Sequence, residues 1–263
     1  MHLDREIAVA GRGLWVRGIP AGTVSPVLVF LHEGLGCSEL WRRFPDEVCA
    51  AVNLPGLVYD RWGYGRSEAR PVPWPPSYLD DEAAGHLPEL LAAVGVHDVY
   101  MIGHSDGGTI ALRFAAAPPR EVRVRGVVTE AAHVVVEEFG LSGIRETVDR
   151  YRTADLPERL SRYHGDKAEA VFRGWSETWL SPAFRDFQIL DHLPHITCPV
   201  LAIQGRDDEY GTHAQVDHIA QKVPLASTLW IAGCGHAPHR EAQQLTLAAI
   251  CGFIRQVQSE KHH

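Results

Sequence analysis

Gly103-His104-Ser105-Asp106-Gly107 is a G-x-S-x-G sequence set between the apolar run Val99–Ile102 and the helix-like Thr109–Phe114. A serine on such a strand-to-helix turn has flanking positions that tolerate almost no side chain, and Gly103 and Gly107 meet that demand. The turn lifts Oγ clear of the sheet, and the following helix aims its amides and positive end at the reacting oxygen. Serine alone is a weak nucleophile and needs a base, which in turn needs an orienting carboxylate. Two later loops offer them. Gly205-Arg206-Asp207-Asp208-Glu209 follows the apolar run Val200–Ile203, and Gly233-Cys234-Gly235-His236 follows Leu229–Ile231. The acid loop holds three adjacent carboxylates, so a slip of one residue would change which of them is used.

The elements that must position these groups are legible as alternating patterns. Ile7–Val9 and Leu14–Val16 flank Gly11-Arg12-Gly13, a hairpin signal. Val27–Leu31, Leu57–Tyr59, Val99–Ile102, Val124–Val128 and Val200–Ile203 are continuous apolar runs, as expected of strands covered on both faces. Helical periodicity falls at about 38–51, 79–95, 106–117, 212–223 and 240–257. A hairpin followed by strand–helix alternation predicts a mostly parallel sheet flanked by helices on both faces. Between 134 and 196 the alternation stops, and the stretch is helical and charged without a convincing strand. There Ala168, Val171, Phe172, Trp175 and Trp179 form one helical stripe, suited to packing the excursion onto the body and to roofing a pocket over Ser105.

Composition excludes several classes. The 263 residues are 45% hydrophobic and 22% charged, enough for a substantial core, and the net charge of −8 opposes nonspecific nucleic-acid binding. No run approaches membrane-spanning length, and residues Met1–Glu6 lack the apolar core of a signal peptide. Cys37, Cys49, Cys198, Cys234 and Cys251 are odd in number and widely spaced, which favours reduced thiols and a cytoplasmic location. The pairs His192/His195 and His236/His239 lack an accompanying ligand motif, so no metal is expected.

Five segments together resemble the α/β-hydrolase superfamily over nearly the whole chain. His32-Glu33-Gly34-Leu35-Gly36, with Trp41 following, is similar to the H-G oxyanion segment, and Asp60–Ser67 to the D-x-x-G-x-G-x-S loop. Gly103–Gly107 resembles the nucleophile elbow, Gly205–Asp208 the G-x-x-D acid loop, and Gly235-His236-Ala237-Pro238 the G-H-x-P loop. The resemblance implies an α/β-hydrolase core over 1–133 and 197–263, with a helical cap inserted at 134–196. It implies Ser105 as nucleophile, His236 as general base and acid, and Asp208 as orienting carboxylate, with backbone amides of Gly34 and Asp106 forming the oxyanion hole. Glu33 departs from the pattern, since glycine usually follows that histidine. It stands as a pocket residue or as a loop brace paired with a basic group.

Glu33, His133, Trp175 and Trp179 are the candidate pocket residues. Glu130 could also approach the pocket, Arg61 is expected to brace its loop, and the Asp106 side chain to cap its helix. His104 reads as a packed neighbour of Ser105, and His239 as a cap or surface residue. The activity implied is cofactor-independent hydrolysis of an ester, lactone or thioester of a small molecule. The same triad in this superfamily also cleaves carbon–carbon bonds of ring-fission products, transfers acyl groups or supports cofactor-free peroxidation, and some members are non-catalytic ligand receptors. Serine in the elbow argues against dehalogenation. The substrate and the oligomeric state are not encoded in these motifs.

Overall fold

A computed structural model describes residues 4–260. Residues 1–3, part of the segment read for a leader, and Lys261-His262-His263 lie outside the described residues. Eight strands form one sheet: β1 (Asp4–Val9), β2 (Arg12–Ile19), β3 (Val27–Leu31), β4 (Gly56–Tyr59), β5 (Asp98–His104), β6 (Arg123–Glu130), β7 (Val200–Gly205) and β8 (Ala226–Ile231). Their order is β1-β2-β4-β3-β5-β6-β7-β8, with antiparallel pairing confined to the β1–β2 and β2–β4 ladders. Every strand expected from an apolar run is present.

The helices are α1 (Phe44–Val52), α2 (Tyr78–Asp81), α3 (Leu87–Ala93), α4 (Asp106–Ala116), α5 (Glu138–Thr153), α6 (Leu156–His164), α7 (Ala168–Trp179), α8 (His213–Lys222), α9 (Pro238–Glu241) and α10 (Gln243–Ser259). Their two layers explain the uninterrupted apolar strands. Val27, Val29 and Leu31 of β3 join a core with α3, α4 and α8, while Leu28 and Phe30 point into another with α1 and α10. Successive side chains on a strand face opposite ways, so a strand covered twice is apolar at every position.

Two expected helices are subdivided. The 38–51 pattern is a single-turn helix at Ser38–Trp41 and then α1, separated at Arg42, whose φ of 53° breaks the right-handed spiral. The 79–95 pattern holds a wider π turn over Glu82–His86 between α2 and α3.

The chain lays β4 on one side of β3 and then returns to place β5 on the other, which opens a crevice at their carboxyl ends. Open α/β sheets bind ligands at such a reversal. The segments after β3, β5, β6 and β7 all emerge near it. Over this edge lie α5, α6 and α7, inserted between β6 and β7, with an isolated bridge between Val135 and Gln188. Histidine and lysine fasten the insertion to the body. His164 Nδ1 accepts the Gly65 amide at 2.9 Å, its Nε2 donates to the Leu35 carbonyl at 3.1 Å, and Lys167 Nζ donates to the Gly65 carbonyl at 2.6 Å.

Candidate active site

Ser105 sits between β5 and α4 with φ 52° and ψ −119°, a conformation that costs a non-glycine residue on the order of 1–3 kcal/mol. Its amide donates to the Glu130 carbonyl at 2.8 Å, which ties the strained residue to β6. The flanking glycines are required by backbone approach. A Cβ on Gly107 would lie 2.0 Å from the Leu31 carbonyl oxygen, and one on Gly103 would lie 2.2 Å from that of Gly107.

The three loops meet. His236 Nε2 is 2.9 Å from Ser105 Oγ, and His236 Nδ1 is 2.8 Å from Asp208 Oδ1. The same Asp208 oxygen accepts the Tyr210 amide at 2.8 Å. Nδ1–H facing a carboxylate leaves the Nε2 lone pair for the serine proton. Burial opposes charge on Asp208, but His236, the Tyr210 amide and His133 outweigh it and hold its pKa below the usual carboxylate value. The neighbouring acids are used otherwise. Asp207 is exposed, and Glu209 accepts the His236 amide at 3.3 Å.

A cavity of about 790 Å³ opens over Ser105. It brings together Glu33, Gly34, Ser105, Asp106, His133, Trp175, Trp179 and His236, with further apolar wall from Trp41, Phe44, Leu141, Ile144 and Leu156. Trp175 closes tightly on the segment after β3: a Cβ on Gly34 would lie 2.3 Å from Trp175 Nε1. Within the described residues, neither the Gly34 nor the Asp106 amide donates to a protein acceptor. His133 faces Trp179 at 5.2 Å and His236 at 5.7 Å between ring centroids, and its Nε2 donates to the Tyr210 carbonyl at 3.1 Å. Burial, with the nearby His236, lowers its pKa and keeps it neutral.

Other side chains differ from the sequence reading. Asp106 does not cap α4. Its Oδ2 accepts the Tyr78 hydroxyl at 2.6 Å and faces Arg61 at 3.7 Å, and Trp179 Nε1 donates to that hydroxyl at 2.8 Å. His239 is 5% exposed rather than at the surface. Both its amide and its Nδ1 donate to Glu130 Oε2, at 2.7 and 3.0 Å, so Glu130 lies beneath the pocket and not in its wall. Arg61 braces its loop as expected, donating to the carbonyl oxygens of His32 and Glu33 at 3.2 and 2.8 Å. The bridging roles of Tyr78 and Tyr210 had no signal, because a lone tyrosine at a helix start or beside an acid loop has many uses.

Residues 28–249 match a family model described as "Alpha/beta hydrolase family". The chain is 26% identical over 254 residues to 2-succinyl-6-hydroxy-2,4-cyclohexadiene-1-carboxylate synthase of Yersinia enterocolitica, spanning 88% of this chain and 87% of that protein. Among solved structures it is similar to the esterase RhEst1 from Rhodococcus sp. ECU1013, with TM-score 0.73, 23% identity, and 98% and 100% of the two chains covered. The enol-lactonase from Burkholderia xenovorans LB400 superposes with TM-score 0.72 at 20% identity, over 95% and 99% of the chains.

Proposed function

The chain belongs to the alpha/beta hydrolase family, and from that premise we propose that it is a cofactor-independent serine hydrolase cleaving an ester, lactone or thioester of a small molecule. One observation carries the reading: the unbroken hydrogen-bonded line from Ser105 through His236 to Asp208, with Ser105 and His236 facing the cavity. His236 Nε2 takes the hydroxyl proton as Ser105 Oγ bonds to the substrate carbonyl carbon. Negative charge on the carbonyl oxygen is met by the amides of Gly34 and Asp106, each worth about 3 kcal/mol by analogy with single-donor deletions. Asp208 stabilises the imidazolium. His236 then returns its proton to the leaving oxygen or sulfur, and water, deprotonated by His236, releases the acyl group from Ser105.

In this reading residues 134–196 form the cap and residues 1–133 with 197–263 the core. Glu33, His133, Trp175 and Trp179 shape the substrate site. Apolar walls suit an acyl or alkyl chain, and the neutral His133 ring suits a hydroxyl or amide of the substrate. The buried thiols Cys37, Cys49, Cys234 and Cys251, none of them in a disulfide, fit the reducing cytoplasm. The named relatives include a synthase, a lactonase and an esterase, which argues for one shared apparatus on different substrates.

A panel of short and long acyl esters, lactones, thioesters and vinylogous diketones tests the proposal, run beside Ser105→Ala. Cleavage of one of the first classes, lost in Ser105→Ala, is the expected result. Turnover of the diketones alone would move the protein to carbon–carbon bond hydrolysis. Tight binding with no turnover would make it a receptor.

A further inference from the structure

The proposed mechanism makes no use of a histidine–carboxylate pair beside the base. His104, the last residue of β5, is 3% exposed. Its Nε2 lies 2.7 Å from the backbone carbonyl oxygen of His236, and its Nδ1 lies 3.4 Å from Glu33 Oε2. A carbonyl oxygen only accepts, so Nε2 carries a hydrogen. Across the ring, a bare Nδ1 would set its lone pair against a carboxylate oxygen, whereas an N–H there meets its counter-charge. Nδ1 makes no hydrogen bond, but the Glu33 carboxylate stands at ion-pair distance, so a proton on Nδ1 is favoured through charge rather than through a second hydrogen bond.

We propose that buried His104 and Glu33, partly exposed at the cavity wall, form an imidazolium–carboxylate pair that fixes the peptide carrying His236 and so aims its ring at Ser105. His104 is then a positioning residue for the base, and the inference rests on reading His236 as that base. The surroundings hold the pair in place. Trp41 and His239 pack on the His104 ring, with centroids at 6.4 and 4.9 Å, and the His236 ring is at 5.1 Å. A Cβ on Gly36 would lie 2.2 Å from Glu33 Oε2, so glycine there clears the carboxylate's space. The pair also accounts for an acid where the family usually has glycine.

The titratable groups around His104 are Glu33, Glu130, His236 and His239. Burial works to discharge His104, yet Glu33, Glu130 and the His236 carbonyl outweigh it and raise its pKa. Burial likewise works against charge on Glu33, and His104, with His32 and His239, overcomes it and lowers the pKa.

Nitrogen-15 NMR of the histidine-labelled full chain tests the pair directly. His104 is expected to keep protons on both nitrogens from about pH 6 to about pH 8, where an unperturbed histidine loses its charge. Glu33→Gln is expected to leave it singly protonated at the upper end of that window. His104→Ala is expected to lower kcat roughly 10- to 100-fold with KM little changed, the scale of an ångström-sized misplacement of a reacting group. His104→Gln should recover most of that loss, because its amide N–H takes the place of Nε2–H. A singly protonated His104 in the wild-type chain overturns the proposal, as does a Glu33→Gln spectrum unchanged from wild type. Failure of His104→Gln to improve on alanine, in folded protein, overturns the positioning role. Turnover surviving His236→Ala would instead sink the reading of His236 as base and leave the spectrum of the pair intact.

Discussion

Replacing His236 with alanine is expected to lower kcat by roughly four to six orders of magnitude while the unfolding midpoint stays near that of the wild type. The ring is only partly buried, and its removal leaves β8 and the sheet untouched. What disappears is the acceptor for the Ser105 proton. Asp208→Asn should fall by about 10⁴, because an amide in that place favours the wrong imidazole tautomer and cannot balance the imidazolium. Combining Ser105→Ala with His236→Ala should cost little beyond either alone, since the two act as a unit. Steady-state kinetics on whichever substrate the panel identifies, beside circular dichroism, checks all three. Unchanged turnover in folded His236→Ala would remove this residue from the chemistry.

The second large effect is on the fold around the nucleophile. Gly107→Ala is expected to destabilise by about 3 kcal/mol or more, at or beyond the upper end of ordinary overpacking. Its added carbon would stand 2.0 Å from the Leu31 carbonyl oxygen, and both partners are backbone. Neither can turn aside as a flexible side chain would, so β3 and α4 must separate and Ser105 must leave its turn. Gly252 in α10 is the matched control. Nothing lies within 4 Å of its missing Cβ, and alanine there should be neutral or stabilising by up to about 1 kcal/mol. Urea titration of the two variants gives the comparison. A wild-type midpoint for Gly107→Ala would show that the turn is not as tight as described.

The parts of this molecule that sequence reveals are those written in local patterns. Val27–Leu31 announces a strand buried on both faces because neither face can carry a polar residue. Ser105, Asp208 and His236 stand out because each follows a strand and a glycine-bearing turn, and strand ends are where the topology gathers chemistry. The adjacent acids Asp207 and Glu209 left the triad carboxylate open in the sequence. In the structure Asp208 is buried against His236 while Asp207 is turned outward, which supports the proposal of Asp208 as the orienting carboxylate.

What sequence withholds are pairings between distant residues with no spacing rule. Tyr78 reaches Asp106 and Trp179 across different elements, and His239 finds Glu130 although 109 positions separate them. Glu33 is anomalous against the family pattern, and its approach to His104, far along the chain, follows no spacing rule. The break at Arg42 was invisible because residues on both sides keep good helical periodicity.

The most direct test of the serine–histidine–aspartate chemistry is intact-mass measurement after exposure to a fluorophosphonate. Nucleophilic attack on phosphorus expels fluoride and leaves a phosphonyl group on Oγ. A single adduct is expected, mapped to Ser105 by peptide sequencing, absent in Ser105→Ala and strongly slowed in His236→Ala. An unlabelled Ser105 in folded protein, or equal labelling in Ser105→Ala, would contradict that chemistry.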